Sequence, residues 1–166
     1  DDKEVTIEYD KLIFCTGSNV FVPPIKGREL GNVFKLKYAE DAKAIKEAIS
    51  QLDEERDRVQ KVIIVGGSAI GIEVASEISH LGKEVTIIEM QPQLMPFKIS
   101  AEFADMAKKA LVKIGVNVRT GMMVNEIIGE KKVRRISFGH EKYEETIDAD
   151  VVVLATGVRA NIDLAK

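Results

Sequence analysis

A glycine-rich segment follows a short apolar run, and its spacing is typical of a backbone that binds phosphate. The run Lys61–Val65 is rich in β-branched residues, which predicts a strand buried on both faces. The segment Val65–Glu73 reads VGGSAIGIE, and a helical apolar pattern continues from it to about Leu81. A helix that begins at such a turn directs free N–H groups and a partial positive charge towards an anion. We therefore expect this segment to bind the diphosphate of a dinucleotide.

The residues of this turn have different expected roles. Gly66 permits the tight turn, and Gly71 lets the helix pack close to the sheet. Ser68 replaces the middle glycine of the G-x-G-x-x-G pattern. Its hydroxyl is a candidate phosphate ligand, but its Cβ leaves less room for the diphosphate to approach the backbone. We expect binding to be retained despite this departure. The predicted diphosphate-binding residues are Gly66, Gly67, Ser68 and Gly71, and Ala69 and Ile70 between them are also predicted to bind the cofactor.

A carboxylate ends the next predicted strand, Val85–Glu89. Glu89 follows Gly71 by 18 residues, where an acid accepts hydrogen bonds from an adenosine ribose. It would also repel a 2′-phosphate, at a cost of about 4 kcal/mol at ~4 Å and an effective dielectric of ~20. No arginine lies in residues 90–93 to offset that repulsion. We therefore expect NADH to be preferred over NADPH; the alternative is that Glu89 is merely a solvated acid.

Strand and helix patterns alternate along the rest of the chain. Short strands with glycine between them, from Val124 to Ile147, predict an antiparallel meander. The order of elements predicts an α/β fold, a Rossmann-like doubly wound parallel sheet with helices on one side and the meander on the other. The predicted strands are 11–15, 33–36, 61–65, 85–89, 116–119 and 151–154, and the predicted helices are 39–58, the segment ending near 81, and 100–114.

Two segments of the chain repeat each other. Residues 7–17 and 147–157 match at an offset of 140, with isoleucine, aspartate, threonine and glycine coinciding. A repeat at this distance predicts two related domains, each closed by one copy, in which the glycine lets backbone approach a cofactor. The alternative is a chance similarity between two buried strands.

On these motifs the chain resembles the FAD-dependent pyridine nucleotide-disulfide oxidoreductases, in particular NADH oxidases, coenzyme A-disulfide reductases and NADH:rubredoxin reductases. The resemblance covers nearly all 166 residues and is carried by segments 9–18, 65–73 and 155–159, together with Glu89. It implies an FAD domain interrupted by an NAD(P)H domain. By this resemblance, residues 1–30 are the tail of the FAD domain and a linker, 31–157 the NAD(H)-binding domain, and 158–166 the start of the return into the FAD domain.

The resemblance also implies roles for single residues. Glu73 is similar to a family glutamate near the flavin and nicotinamide; alternatively, it is only a polar residue suited to the first turn of a helix. Thr156 and Gly157 are expected beside the nicotinamide. Ala69 stands where many relatives carry a tyrosine that covers the flavin, so no tyrosine lid is expected. Cys15 replaces a usual alanine and is expected to be a small buried residue rather than a redox thiol.

The implied activity is hydride transfer from NADH to FAD in a longer polypeptide. The chain starts at Asp1 in a strand-like pattern and has no upstream FAD fingerprint, redox cysteine near a flavin or dimerisation domain. We therefore expect a part of an enzyme that binds NADH without turnover, with NADH and the FAD and dimerisation domains of the same polypeptide as partners. Two alternatives stay open: the NAD domain of a flavin-independent dehydrogenase, and a non-enzymatic NADH-binding module.

Composition argues against other classes of function. The net charge of −3 favours neither nucleic acid nor an anionic membrane, and no apolar run approaches the ~20 residues of a membrane span. The single cysteine excludes an internal disulfide and predicts a cytoplasmic location. His80 and His140 are too far apart in sequence to suggest a metal site. Residues 122–124 are expected in the core.

Overall fold

A five-stranded parallel sheet forms the centre of the computed structural model, which describes residues 4–55, 60–141 and 143–166. The elements are β1 (Ser18–Val20), β2 (Val33–Lys35), α1 (Ala39–Glu55), β3 (Lys61–Val65), α2 (Ala69–His80), β4 (Glu84–Glu89), α3 (Ala101–Lys113), β5 (Asn117–Thr120), β6 (Met123–Gly129), β7 (Val133–His140), β8 (Tyr143–Asp148), β9 (Val151–Leu154), β10 (Val158–Ala160) and a short 3-10 helix (Asp163–Ala165). The strand order of the parallel sheet is β2-β9-β3-β4-β5. Strands β6, β7 and β8 form an antiparallel sheet, and β1 pairs with β10.

Alternating side chains of the central strands enter two separate cores. In β3, Val62 and Ile64 pack towards the helices, while Ile63 and Val65 pack towards the meander. The helical core includes Ile45, Ile49, Ala75, Ile78 and Leu111, and the meander core includes Val124, Ile127, Val133, Ile136 and Phe138. Because both faces are covered, most positions of the central strands are apolar, which explains the nearly continuous apolar runs in the sequence. The predicted fold class is confirmed.

The helix ends follow local chemistry. At the start of α1, a side-chain oxygen of Asp41 accepts hydrogen bonds from the backbone N–H of Lys37 (2.9 Å) and Tyr38 (3.0 Å). These bonds, that from Tyr38 first, hold the pKa of Asp41 below its ordinary value. Ser100 occupies the position before α3, but its side chain makes no capping bond. The last residues predicted for α1, up to 58, lie outside the described residues.

The strand predicted at 11–15 is absent from the structure. Residues 11–17 have no regular structure, Ile13 is 83% exposed and Cys15 is also exposed, so the expected burial of this cysteine is wrong for this chain. An apolar run becomes a strand only where another strand pairs with it and a core covers it. Among the described residues, no strand pairs with this run.

The two repeats nevertheless contact each other reciprocally. The hydroxyl of Thr16 donates to the carbonyl of Asn161, and that of Thr156 donates to the carbonyl of Phe21. The N–H of Asn161 donates to Gly17 (3.0 Å), and the N–H of Phe21 donates to Gly157 (2.9 Å). At the offset of 140, Asn161 corresponds to Phe21, so the threonine and glycine of each repeat make the same two contacts with the residue four positions beyond the other repeat. The ribbon β1–β10 between them therefore has an approximate twofold axis.

The meander core should contribute strongly to stability. Phe138 is 0% exposed, and its replacement by alanine should lower the free energy of unfolding by about 3–5 kcal/mol, through lost burial and the remaining cavity. Urea denaturation measures this loss. The control is Phe103→Ala on α3, where the side chain is 61% exposed and about 0.5 kcal/mol or less is expected. Equal losses for the two variants would contradict the assignment of Phe138 to the core.

Candidate functional site

A mostly apolar cleft of about 640 Å³ opens at the carboxyl ends of β3, β4 and β9. This edge is where open α/β sheets bind their ligands. The wall opposite the glycine turn is formed by the start of the meander, residues 122–125, and by the linker before β2. The lining residues include Phe21, Pro23, Pro24, Ile25, Gly66, Ser68, Glu89, Met90, Gln91, Pro96, Met122, Met123, Val124, Asn125, Thr156 and Gly157.

The glycine turn depends on two close backbone contacts. A Cβ on Gly66 would lie 2.5 Å from the carbonyl oxygen of Ala155, and φ at Gly66 is 110°. A Cβ on Gly71 would lie 2.2 Å from the carbonyl oxygen of Gly66. Helix α2 can therefore start directly above the ends of β3 and β9 only if both positions lack a side chain. The close packing expected of Gly71 is present.

The hydroxyl of Ser68 serves the protein itself. It donates to the carbonyl of Ala155 (3.1 Å) and accepts from the N–H of Gly71 (3.3 Å), which makes Ser68 the N-cap of α2. Because its single proton is used, the hydroxyl has none left to donate to a phosphate in this arrangement. The N–H groups in the first turn of α2, which lack intrahelical acceptors as in any helix, are the better donors for an anion.

Glu89 is a buried residue, so the alternative of a solvated acid is wrong. It is 6% exposed; its Oε2 accepts from the N–H of Gly67 (2.6 Å) and its Oε1 from the N–H of Gln91 (2.7 Å). Each carboxylate oxygen can accept a second hydrogen bond, so the group still has capacity for a sugar hydroxyl in the cleft. Glu89 therefore has a structural role, which is compatible with the ligand role that the sequence predicts.

The loop after β4 is joined to the glycine turn. Leu94 is 1% exposed, and its Cδ2 would lie 2.7 Å from a Cβ on Gly67. The N–H of Met95 donates to the carbonyl of Gly67 (2.7 Å). Met90 and Pro96 from this loop then line the cleft. The sequence analysis did not predict this wall. The only sequence signal for the loop is the pair of prolines that bracket it, Pro92 and Pro96.

The meander also supplies a wall that the sequence did not predict. The N–H of Met122 donates to the carbonyl of Glu89 (3.0 Å), which brings the start of β6 beside the end of β4. Val124 is buried as expected, but Met123 is 56% exposed and lines the cleft. The prediction that Met123 is a core residue is therefore wrong. An apolar residue that lines a cleft cannot be distinguished by its type from one that is buried in a core.

The structure gathers only some of the predicted site residues. Gly66, Ser68, Glu89, Thr156 and Gly157 line the cleft, and Gly67 and Gly71 support the turn behind it. Gly157 has φ of 93° and open space at its Cα. By contrast, the side chains at the start of α2 are exposed and lie outside the cleft lining; they are Ala69, Ile70 and Glu73.

The described residues contain neither a cluster of metal ligands nor a helix that could span a membrane. In those ranges, no group of three or more histidine, cysteine, aspartate or glutamate side chains is arranged to hold a metal ion. Likewise, none of the helices within the described part of the chain has the length and apolar character needed to cross a membrane.

The fold and the site together define a Rossmann-type domain, with a cleft at the carboxyl ends of its parallel strands. The chain matches the pyridine nucleotide-disulphide oxidoreductase family over residues 1–166, and it belongs to that family.

Similar proteins are much longer than this chain. A NADH oxidase from Methanocaldococcus jannaschii is 37% identical over 166 residues, which are 100% of this chain and 35% of that protein. The structure of a NAD-dependent persulfide reductase from A. fulgidus is similar with a TM-score of 0.79 and 34% identity, over 90% of this chain and 26% of that one. A water-forming NADH oxidase from Lactobacillus brevis, bound to NADH, has a TM-score of 0.73 and 28% identity, over 96% of this chain and 33% of that one. The chain thus spans about a third of the length of its curated relatives.

The contact at Gly71 can be tested by substitution. Alanine favours a helix over glycine by about 1 kcal/mol, so propensity alone predicts that Gly71→Ala stabilises the protein. The 2.2 Å approach to the carbonyl of Gly66 should reverse that sign and lower the melting temperature. The control is Gly82→Ala, where no atom lies within 4 Å and only the positive φ of 76° is strained, at about 1 kcal/mol. A melting temperature of Gly71→Ala at or above that of the control would contradict the close contact.

Proposed function

We propose that this chain is the NADH-binding domain of a larger FAD-dependent oxidoreductase. The observation that carries the proposal is the cleft at the carboxyl ends of the sheet, which is lined by Gly66 of the glycine turn, by Ser68 at the N-cap of α2 and by the buried Glu89. The relative from Lactobacillus brevis is bound to NADH and shares this fold, which supports the same ligand here.

The residues of the cleft fit the parts of a dinucleotide. The first N–H groups of α2 would bind the diphosphate, as an unsatisfied helix terminus binds an anion. Glu89 would accept hydrogen bonds from the adenosine ribose. Thr156 and Gly157 would lie beside the nicotinamide, where the bare backbone of Gly157 permits a close approach. When bound, NADH supplies a hydride, and the flavin that accepts it would be held by the rest of the polypeptide.

The reciprocal contacts of the two repeats support an FAD domain next to this one. The repeat 147–157 ends with Thr156 and Gly157 at the proposed NADH cleft. The repeat 7–17 would therefore end at the corresponding cofactor cleft of a second dinucleotide domain. The exposed side chains of Val5 (75%), Ile7 (76%) and Ile13 (83%) would be covered there. On this basis we propose the boundaries 1–30 for the FAD-domain tail and linker, 31–157 for the NAD(H) domain, and 158–166 for the return.

Glu73 fits this arrangement as a residue at the boundary between the domains. It lies in the exposed first part of α2 with Ile70, which is 45% exposed although apolar. We propose that this surface faces the FAD domain, which would bring Glu73 near the flavin and nicotinamide. The cytoplasm is the proposed location, since the chain has a single cysteine.

The preference for NADH can be measured on the chain itself. Calorimetric titration should give a lower Kd for NADH than for NADPH, because the buried Glu89 repels a 2′-phosphate. Met90 lines the cleft beside Glu89 and is 63% exposed. In Met90→Arg, the new cation should attract the 2′-phosphate and reduce the ratio of the Kd for NADPH to the Kd for NADH several-fold. The control Met106→Arg, on α3 and also 63% exposed, should leave the ratio unchanged. Equal wild-type affinities would refute the role of Glu89.

The role as electron donor requires the whole polypeptide. Purified with FAD, it should show flavin absorbance that NADH bleaches under anaerobic conditions, and Glu73→Gln should slow the bleaching if Glu73 lies near the reacting rings. The 166-residue chain should bind NADH but retain no flavin. A whole polypeptide that binds NADH and never retains FAD would instead favour a flavin-independent dehydrogenase or a non-enzymatic module.

A further inference from the structure

Phe97 lies in the loop that supplies one wall of the cleft. Its side chain is 91% exposed, although it is a large apolar ring. It directly follows Pro96, which lines the cleft together with Met90. A single exposed apolar residue is common on protein surfaces, so exposure alone would carry no inference.

The backbone at Phe97 is also disfavoured for a residue with a side chain. The N–H of Lys98 donates to the carbonyl of Met95 (3.1 Å), which closes a four-residue turn with Pro96 and Phe97 at its centre. Phe97 has φ of 63°, and a turn with proline followed by a positive φ normally has glycine or asparagine at this third position. The chain thus places a bulky ring where glycine would be more stable, and such a conformation is a reason to look for a function.

The turn is firmly connected to the phosphate-binding backbone. The preceding residue, Met95, donates its N–H to the carbonyl of Gly67, and Leu94 is buried behind that glycine. The backbone that carries Phe97 is therefore joined to the glycine turn, to which Glu89 is also hydrogen-bonded. The neighbouring rim residues are apolar: Met90 is 63% exposed and, across the cleft, Met123 is 56% exposed.

We propose that Phe97 is a positioning residue for the adenine of the bound dinucleotide, stacking its ring on the base at the mouth of the cleft. The proposal rests on the proposed function, which places the adenosine ribose at Glu89. An adenine beyond that ribose would lie against Met90 and Pro96, with one face open to water unless an aromatic ring covers it. Stacking of an aromatic side chain on a base contributes about 1–3 kcal/mol, so loss of the ring should weaken binding at least about fivefold.

Phe97→Gly separates this role from a structural one. Glycine relieves the strain of a positive φ, so the melting temperature of the free protein should stay equal or rise. The Kd values for AMP and NADH should nevertheless rise at least about fivefold, while that for nicotinamide mononucleotide, which lacks adenine, should not change. Phe97→Tyr should retain wild-type Kd values. The control Phe103→Ala removes an exposed phenylalanine on α3, which is not adjacent to a residue of the cleft lining, and should change none of them.

A tryptophan reporter provides an independent readout, because the chain contains no tryptophan. In Phe97→Trp, saturating AMP should quench the indole fluorescence by direct stacking, whereas in Phe103→Trp it should not. Unchanged affinity of Phe97→Gly for AMP and NADH, or equal quenching in the two tryptophan variants, would overturn the stacking role while leaving NADH binding intact. Failure of the wild-type chain to bind NADH would instead refute the proposed function itself.

Discussion

The pair of hydrogen bonds between Glu89 and the backbone of Gly67 and Gln91 is the interaction on which the site depends. It joins the glycine turn after β3 to the end of β4, and the carbonyl of Glu89 also receives the N–H of Met122 at the start of the meander. One residue thus connects three walls of the cleft. A buried carboxylate without such partners would be costly, and here backbone N–H groups satisfy it.

This connection requires the sheet to be covered on both faces. The meander packs on the face opposite the helices, so residues 122–125 reach the carboxyl edge of β3 and β4 and deepen a shallow edge into a cleft. Helix α2 on the other face can approach that edge only because Gly66 and Gly71 lack side chains. The cleft is therefore a product of both cores, and either core alone would leave one wall missing.

The reciprocal ribbon fits the proposed insertion of this domain into a second dinucleotide domain. Thr16 and Thr156 each donate to a carbonyl just beyond the opposite repeat, so the two proposed domain boundaries lie side by side at one small antiparallel crossing. On the side of Thr156, Phe21 lies in the cleft lining and the guanidinium of Arg159 lies 3.9 Å from its ring. The crossing is therefore continuous with the cleft, near the proposed nicotinamide end.

The amino-acid sequence by itself determined the parallel sheet, its helices and meander, and the glycine turn with its acid, because each has a local pattern of apolar period, glycine position or strand end. It did not determine the conformation of residues 11–15, which have the pattern of a buried strand but are exposed, with no partner strand in the described part of the chain. Nor did it indicate that the Ser68 hydroxyl caps α2, that Met123 lines the cleft, or that the loop carrying Phe97 is joined to Gly67. Those features depend on contacts between segments far apart in the chain. An apolar residue type does not show by itself whether its side chain is buried in a core or lies at the edge of a cleft. Only the tertiary structure decides between these outcomes, because burial and hydrogen-bond partners are set by which surfaces meet.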